Sequence, residues 1–416
     1  MRRALVLISS CALSLLVACG GGNNSSSPGG NTITPPTSGS NVASIVVDTG
    51  PSAIQATGPA TNAAYVTVNV CVPGTTTCQS IDHVLVDTGS EGLRVLASVM
   101  TPPLTTQTNA SGMSIAECVP FVDGTFVWGP VQTADIQIAG EKANSAPIQV
   151  IGESQISVPA GCTGTDDDTV QALAANGILG IGPFLQDCGA LCVTGIPSTA
   201  LYYACSSNAG SSCLPTTQSL TAQVTNPVSM FTADNNGTII ELPAISNTGA
   251  PTVTGSLVFG IGTQSNNGLK GAIPLAADAN GNFGTSFNGT QYTAFIDSGT
   301  NILAILDAGT LGITTCAAPD DSFYCPGAPN NNALNQRNLT AINFDSLGDQ
   351  STVNFSIANA EFLFAANGGA NFAFNNLGGP NAGTFDWGLP FFFGRNVFTA
   401  IENQNTPVGA GPFFAY

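Results

Sequence analysis

Two aspartates stand in matching contexts, and their residue types and spacing could do hydrolytic chemistry. Asp87 ends the apolar run Val84–Val86 and begins Asp-Thr-Gly-Ser, while Asp297 ends Ala294–Ile296 and begins Asp-Ser-Gly-Thr. An apolar run follows each motif. An ionised carboxylate loses its hydration at the end of a buried strand, so an acid is rare there. Two such acids in matching contexts predict a pair of carboxyl groups that face one another.

Two carboxyl groups held a few ångströms apart cannot both ionise cheaply, so the pair keeps one proton over a wide pH range. The ionised member can act as a base on a bridging water molecule, and the protonated member can polarise a substrate carbonyl. The glycines Gly89 and Gly299 in the two motifs let the backbone approach closely. These features predict acid–base hydrolysis with Asp87 and Asp297 as the catalytic groups.

A third Asp-Thr-Gly begins at Asp48, but its flanking residues differ. Pro51 follows the motif, and proline removes a hydrogen-bond donor from a strand ladder. No apolar run returns from this turn. We therefore predict that Asp48 is a turn residue after a first strand.

Composition predicts an all-β fold. The 416 residues include 48 glycines and 26 prolines, and only 8% of the residues are charged. Short Val, Ile, Phe and Thr runs alternate with Gly, Asn and Pro turns, which favours strands. The formal net charge of −18 excludes nucleic acid and anionic membrane surfaces as partners. A chain this acidic is compatible with function in an acidic medium.

The N-terminus has the pattern of a bacterial lipoprotein signal. Met1–Arg3 is positively charged, Ala4–Leu16 is apolar, and small residues precede Cys19. We predict a signal peptide over residues 1–18, lipidation of Cys19 and a flexible tether over residues 19–42. The protein is then exported and lipid-anchored in the bacterial cell envelope, with the outer membrane as the expected location. An ordinary secretory signal with an incidental cysteine is the alternative.

Ten cysteines remain after Cys11 and Cys19, and an even number in an exported chain indicates disulfides. Close spacing favours four local pairs and leaves a fifth. The predicted pairs are Cys71–Cys78, Cys188–Cys192, Cys205–Cys213, Cys316–Cys325 and, as the remainder, Cys118–Cys162. With one histidine and no Cys-x-x-Cys pair, the sequence does not favour a zinc cluster.

The rest of the chain predicts an internal duplication, because each aspartate motif precedes an apolar segment that contains a glycine turn. In the first half this is Asn176–Gly180, and in the second half a buried strand is predicted over Leu389–Ile401. Alternation predicts a strand at Ala64–Cys71, and a strand is also expected at Glu361–Phe364. An Asp-Gly turn predicts a hairpin over Phe121–Trp128.

These residues together resemble the pepsin-like aspartic proteases, from about Ala43 to the end of the chain. The whole sequence is also similar to an uncharacterised family of proteobacterial lipoproteins. The protease resemblance implies a bilobal pepsin-like acid protease fold, with two similar β lobes over residues 43–230 and 231–416 and a cleft between them. It also implies a peptide or protein substrate, a monomer, no cofactor and no metal.

The resemblance assigns roles to the residues around the aspartates. Thr88 and Ser298 would brace the two loops from below, and Ser90 and Thr300 would bond the outer carboxylate oxygens. The supporting set is Thr88, Gly89, Ser90, Ser298, Gly299 and Thr300. The flap would carry Phe121, Val122, Asp123 and Gly124.

The sequence departs from the family pattern at several positions. Phe121 and Val122 stand near the place of the flap tyrosine, and Arg94 stands where the supporting tryptophan is usual. Asn301 replaces a Ser or Thr. Glu91 adds an acid beside the pair, and a pairing with Arg94 is one arrangement open to it. Trp128 either caps the cleft or packs in the core, and core packing is the expectation.

Two functional hypotheses follow. The first is an aspartic endopeptidase that hydrolyses peptide bonds with water activated between Asp87 and Asp297. The second is a catalytically weak or inactive pepsin-like protein that acts as a binding or inhibitor module, since a fold does not fix a function. A calcium site at Asp166–Asp168 is the weakest possibility, because this run lacks ligand spacing.

Overall fold

The computed structural model describes residues 39–153, 156–195, 201–206, 212–327 and 333–416. Strands dominate these residues, and the all-β prediction is confirmed. Two large curled sheets form two lobes, and a two-stranded sheet lies near the C-terminus. The predicted signal peptide, Cys19 and most of the predicted tether lie outside the described residues.

The strands are β1 (Val42–Val47), β2 (Ala64–Cys71), β3 (Cys78–Asp87), β4 (Glu91–Leu96), β5 (Thr105–Thr106), β6 (Ser114–Pro120), β7 (Thr125–Ile138), β8 (Glu141–Ile151), β9 (Thr165–Asp166), β10 (Gly177–Ile181), β11 (Tyr202–Cys205), β12 (Cys213–Pro215), β13 (Gly237–Leu242), β14 (Val253–Phe259), β15 (Pro274–Ala276), β16 (Phe283–Phe287), β17 (Thr290–Ile296), β18 (Leu303–Leu306), β19 (Arg337–Phe344), β20 (Gln350–Ile357), β21 (Gly378–Gly379), β22 (Asn381–Trp387), β23 (Arg395–Ala400), β24 (Asn405–Thr406), β25 (Gly409–Ala410) and β26 (Phe413–Ala415). The helices are α1 (Val170–Leu173), α2 (Leu191–Thr194), α3 (Ala308–Leu311) and α4 (Ala360–Ala365), and 3₁₀ turns occupy Ala97–Val99, Leu220–Ala222, Pro227–Met230, Ala366–Gly369 and Leu389–Phe392.

The same three-strand arrangement occurs once in each lobe. In the first lobe, β10 lies between β3, to which it is parallel, and β4, to which it is antiparallel. In the second lobe, β22 lies in the same way between β17 and β18. β3 and β17 lead into the two aspartate motifs. Each motif is therefore the loop between two strands that a third strand holds from behind.

The glycine strand of the second lobe lies earlier in the chain than the sequence predicted. A strand over Leu389–Ile401 is wrong for its first part, because Leu389–Phe392 is a 3₁₀ turn that precedes β23. The turn is closed by the Phe391 amide, which donates to the Gly388 carbonyl at 2.9 Å. Pro390 fits a first turn, since it has no N–H to donate. The strand that holds the Asp297 loop is β22.

The predicted strand at Glu361–Phe364 is also wrong, because these residues lie in α4. Asn359 precedes the helix in an extended conformation, and its side chain accepts a hydrogen bond from the Phe362 amide. Such a cap stabilises a helix by about 1 kcal/mol. The apolar residues of this short segment do not distinguish a strand from a helix, whereas the cap does.

The two lobes are connected by paired strands and not only by a linker. β1 pairs with β2 of the first lobe and, over its whole length, with β14. β14 pairs with β13, and β13 pairs with β23 near the C-terminus. Asn41, just before β1, is fully buried and donates to the Phe259 carbonyl at 2.8 Å. This shared sheet therefore joins the two lobes by backbone hydrogen bonds.

All five predicted disulfides are present, including Cys118–Cys162, which had been assigned as the remainder. Five disulfides in one chain fit an exported protein. The turn predicted at Asp48 is confirmed as well, because its carboxylate accepts from the Gly50 amide at 2.9 Å just after β1. Within the described residues, no helix has the length and apolar character needed to span a bilayer.

Candidate active site

Asp87 and Asp297 are each held by their own loop. The Gly89 amide donates to Oδ1 of Asp87 at 2.8 Å, and the Gly299 amide donates to Oδ1 of Asp297 at 2.7 Å. The second oxygen of each carboxyl group contacts the hydroxyl three residues later. That hydroxyl belongs to Ser90 for Asp87 and to Thr300, at 2.9 Å, for Asp297. The two loops are therefore built alike down to the individual hydrogen bonds.

The loops are tied to each other by a reciprocal pair of hydroxyls. The Thr88 amide donates to Oγ of Ser298 at 3.1 Å, and the Ser298 amide donates to Oγ1 of Thr88 at 2.9 Å. Each hydroxyl then donates across the junction, from Thr88 to the Ile296 carbonyl at 3.0 Å and from Ser298 to the Val86 carbonyl at 2.7 Å. Both residues are almost fully buried. These reciprocal hydrogen bonds hold each loop in position against the other.

Each glycine of the pair lies against the carboxyl group of the opposite loop. A Cβ built on Gly89 would stand 2.7 Å from Cγ of Asp297, and one built on Gly299 would stand 2.7 Å from Oδ1 of Asp87. Non-bonded carbon atoms normally stay about 3.5–4.0 Å apart, so only glycine fits at these positions. The close backbone approach that we predicted at these glycines is therefore the approach of each loop to the carboxyl group of the other.

The electrostatics of the site favour a shared proton. Burial, the charge of Asp87 and the charge of Asp386 raise the pKa of Asp297 well above its usual range. Asp87 is nearly buried, whereas Gly89 beside it is exposed. The pair is therefore open to solvent where Gly89 lies, whereas Gly299 is half-buried. One proton on two coupled carboxyl groups supplies both a base and an acid at the same place.

A third acid near the pair was missed in the sequence analysis. Asp386 lies on β22 and is 2% exposed. Burial and the charge of Asp87 raise its pKa to about 8, and its hydrogen bond with Thr300 opposes this shift. The local signal was an acid between two aromatic residues, Phe385 and Trp387, immediately before Gly388. That pattern could have been recognised as a buried strand with a glycine turn. Its position beside Asp297 could not have been predicted, because it depends on the pairing of β22 with β17.

Glu91 is close to the pair, but its predicted pairing with Arg94 is wrong at the side chain. The Arg94 guanidinium contacts the Glu91 backbone carbonyl, while Oε1 of the Glu91 carboxyl group accepts from the Phe184 amide at 3.3 Å. Burial, Asp87 and Glu402 together raise the pKa of Glu91 to about 8. Glu91 is therefore a protonated, neutral acid at neutral pH.

The Arg94 guanidinium pairs with two other acids. Its Nη2 lies 3.1 Å from both Oε1 of Glu117 and Oδ2 of Asp187, and all three side chains are buried. The Tyr202 hydroxyl donates to Asp187 at 2.8 Å. Burial and the neighbouring Glu117 raise the pKa of Asp187 well above its usual range. Arg94 therefore connects β4 with β6.

The residues predicted for the flap form the tip of the β6–β7 hairpin. The Phe121 amide donates to the Thr125 carbonyl at 2.8 Å, and Oδ1 of Asp123 accepts from the Thr125 amide at 2.9 Å. Gly124 has φ of +86°, so the predicted Asp-Gly turn is confirmed. The Val122 side chain is 92% exposed, whereas Phe121 is half-buried against an apolar cluster.

The β6–β7 hairpin is held near its tip by strand pairing and a disulfide. β7 pairs with β9 through Thr125 and Phe126, and the disulfide Cys118–Cys162 joins β6 to the segment before β9. Trp128 is buried, donates to the Ile156 carbonyl at 3.0 Å and packs edge-on against Tyr203. Core packing of Trp128 is therefore confirmed, and its indole is not available to cap a cleft.

The acidic run Asp166–Asp168 lies beside this hairpin. Burial and the two following aspartates raise the pKa of Asp166 to about 6. In the described residues, the one group of side chains close enough to hold a metal ion is Cys316, Cys325 and Glu361. Its two sulfur atoms form a disulfide with each other, so they are not thiolate ligands.

The fold and the site define a two-lobed, all-β protein with paired aspartate loops at the junction of its lobes. The chain belongs to the family described as protein of unknown function (DUF3443), which matches residues 37–416. Among curated proteins, none matches this chain significantly.

Proposed function

We propose that this protein is an aspartic endopeptidase with a pepsin-like architecture. The observation that carries the proposal is the packing of each carboxyl group against the glycine of the opposite loop. Asp87 and Asp297 then share one face and one proton. Reciprocal bonds between Thr88 and Ser298 support the same conclusion, because they hold the two carboxyl groups in fixed positions.

The chemistry follows from that shared proton. A water molecule between Asp87 and Asp297 loses a proton to the ionised carboxylate as its oxygen bonds to the substrate carbonyl carbon. The protonated carboxyl group donates its proton to the carbonyl oxygen, which gives a neutral diol. Return of one hydroxyl proton to a carboxylate and protonation of the amide nitrogen then break the C–N bond. Ser90 and Thr300 hold the outer carboxylate oxygens during these steps.

The location that we propose is the bacterial cell envelope, with Cys19 as the lipidated residue. The leader pattern supports this proposal, and so do five disulfides, which form in exported proteins. The proposed substrate is a peptide or protein in the exported compartment.

A second candidate is a catalytically weak or inactive protein of the same architecture that binds a partner. The observation that favours it is the hairpin tip, where Phe121 and Val122 supply no hydroxyl group. Loss of the flap hydroxyl leaves the aspartate pair intact but removes one polar group from the substrate side.

The test is digestion of a mixed peptide library by the full chain carrying Cys19→Ser, from about pH 3 to pH 8. Asp87→Asn and Asp297→Asn are expected to lower cleavage by about 10³-fold or more, because each leaves the pair without its acid or its base. Asp48→Asn is the matched control, since it changes an Asp-Thr-Gly outside the site. Cleavage that survives both site variants would overturn the proposal. No cleavage by folded wild-type protein would favour the binding candidate.

A further inference from the structure

Asp386 on β22 carries a buried carboxyl group. In the strand register, Asp386 stands between Phe295 of β17 and Ala304 of β18. Among the described residues, its Oδ1 is buried without a hydrogen-bond partner. A buried carboxylate anion with an unpaired oxygen is costly, whereas the carbonyl oxygen of a neutral acid tolerates that position better. The geometry therefore favours a protonated Asp386.

The segment that contains Asp386 wraps the Asp297 loop. The Asp297 amide donates to the Trp387 carbonyl at 3.2 Å, and the Leu389 amide donates to the Thr300 carbonyl at 2.7 Å. Between these two bonds, the Asp386 carboxyl group lies within hydrogen-bonding reach of the Thr300 hydroxyl. The same hydroxyl donates to Oδ2 of Asp297 at 2.9 Å. Thr300 thus stands between two carboxyl groups.

A threonine hydroxyl has one proton, so it can donate to one of the two acids and must accept from the other. If Thr300 donates to Asp297, then Asp386 has to donate to Thr300, which requires a protonated Asp386. A chain of donors results, from the Asp386 acid to the Thr300 hydroxyl and from there to the outer oxygen of Asp297. Hydrogen bonds in such a chain polarise one another and strengthen the last bond.

We propose that Asp386 is a positioning residue of the site, which acts as a neutral acid and directs the Thr300 hydroxyl proton to Asp297. This inference rests on the proposed function, because it assigns a role within the same pair of carboxyl groups. The pKa of Asp386, raised by burial to about 8, agrees with a neutral acid through the acidic and neutral range. Above that pH the acid ionises, and the donor is lost.

The first lobe shows that this acid is not demanded by the fold. Leu179 and Trp387 occupy equivalent register positions, opposite Leu93 and Leu303. The residue before Leu179, at the position of Asp386, is Ile178. An apolar side chain can therefore pack at this position of the strand. Asp386 supplies a proton donor to the second loop, and the first loop has no such donor at the equivalent position. The site is asymmetric in its hydrogen bonding although its backbone is nearly symmetric.

The experiment compares two variants of the full chain carrying Cys19→Ser. Asp386→Asn keeps a donor, since the amide N–H₂ can replace the acid O–H, but this donor does not ionise. Asp386→Leu removes the donor and keeps an apolar residue, as at the equivalent position of the first lobe. The measurements are the pH dependence of kcat/KM for a peptide that wild-type protein cleaves, and infrared titration of protonated carboxyl groups.

A hydrogen bond to an ionised group lowers its pKa. We expect Asp386→Leu to move the acidic limb of kcat/KM upward by about 0.3 pH unit, because the bond from Thr300 to Asp297 remains but loses the roughly 10–30% strengthening that the chain of donors gives it. Asp386→Asn is expected to keep the wild-type acidic limb. In the infrared titration, wild-type protein is expected to lose two protonated-carboxyl signals near pH 8, those of Glu91 and Asp386, whereas both variants are expected to lose only the signal of Glu91.

Two outcomes would overturn the inference. One is an acidic limb that is unchanged in both variants, and the other is a wild-type set of infrared signals that persists in Asp386→Asn. If Asp87→Asn still abolishes cleavage in either case, the protease proposal stands while the role of Asp386 fails. If wild-type protein cleaves nothing, the protease proposal fails, and the infrared titration alone decides whether Asp386 is a neutral acid beside Thr300.

Discussion

Glu91→Gln should make this protein less sensitive to rising pH. The Glu91 carboxyl group is protonated in the folded state up to about pH 8, whereas its ordinary value is 4.5. Between these two values the folded state holds a proton that the unfolded state has released. The free energy of unfolding therefore falls as pH rises through this window, and it is unaffected by Glu91 outside the window.

The magnitude follows from the two pKa values. Each pH unit in the window costs about 1.4 kcal/mol, so Glu91 alone lowers the free energy of unfolding by roughly 5 kcal/mol between pH 4.5 and pH 8. That is a large share of the total stability of about 5–15 kcal/mol of a typical domain. Glutamine has nearly the same shape and no titrating proton. Glu91→Gln is therefore expected to match wild-type protein near pH 4.5 and to exceed its stability at pH 8.

The assay is urea unfolding at several pH values, followed by the fluorescence of Trp128 and Trp387, which are both buried. The disulfides stay oxidised throughout. Asp349→Asn changes an exposed carboxyl group and serves as the control. Equal slopes of unfolding free energy against pH in wild-type protein and Glu91→Gln would refute a buried, protonated Glu91. A slope change of similar size in the control would show that surface charge, rather than the buried acid, sets the dependence.

Two further substitutions test the packing and the charge network around the site. Gly89→Ala brings a methyl group to 2.7 Å from Cγ of Asp297, so cleavage should fall at least tenfold, while Gly58→Ala, where a Cβ meets nothing within 4 Å, should leave it unchanged. Equal activity of both alanine variants would contradict the tight approach of the loops. Arg94→Met leaves two buried acids without their cation and should lower the free energy of unfolding by about 3–5 kcal/mol in urea, against a change of under about 0.5 kcal/mol for the exposed-site control Arg337→Met. A small effect at Arg94 would contradict a stabilising role for this buried cation.

Features that depend on contacts between residues close in the chain could be predicted from the sequence, whereas those that depend on distant strands could not. The aspartate motifs carry their own structure, because Asp87 and Asp297 bond the amides and hydroxyls of the next three residues. The hairpin turn at Asp123 and Gly124 is local for the same reason. Close spacing identified four disulfides, and counting then identified the fifth. In each case the partners lie within a few residues, or the alternatives are few.

The helix at Ala360–Ala365 and the turn at Leu389–Phe392 were mistaken for strands, although both carry local signals. Asn359 can cap a helix, and Pro390 removes a strand donor. Apolar runs of four to six residues fit either structure, so the cap and the proline had to decide. The second error concealed β22, which is the strand that carries Asp386.

The sequence by itself determined the all-β class, the disulfides and the two motifs that supply the aspartates. Only the tertiary structure decided which charged groups surround them. Arg94 meets Glu117 and Asp187 rather than the Glu91 side chain, and Asp386 comes to Thr300. The physical reason is that burial and charge pairing depend on strands that are distant in the chain but adjacent in the sheet. A motif fixes the geometry of its own loop, whereas the fold fixes which proton donors and charges the loop meets.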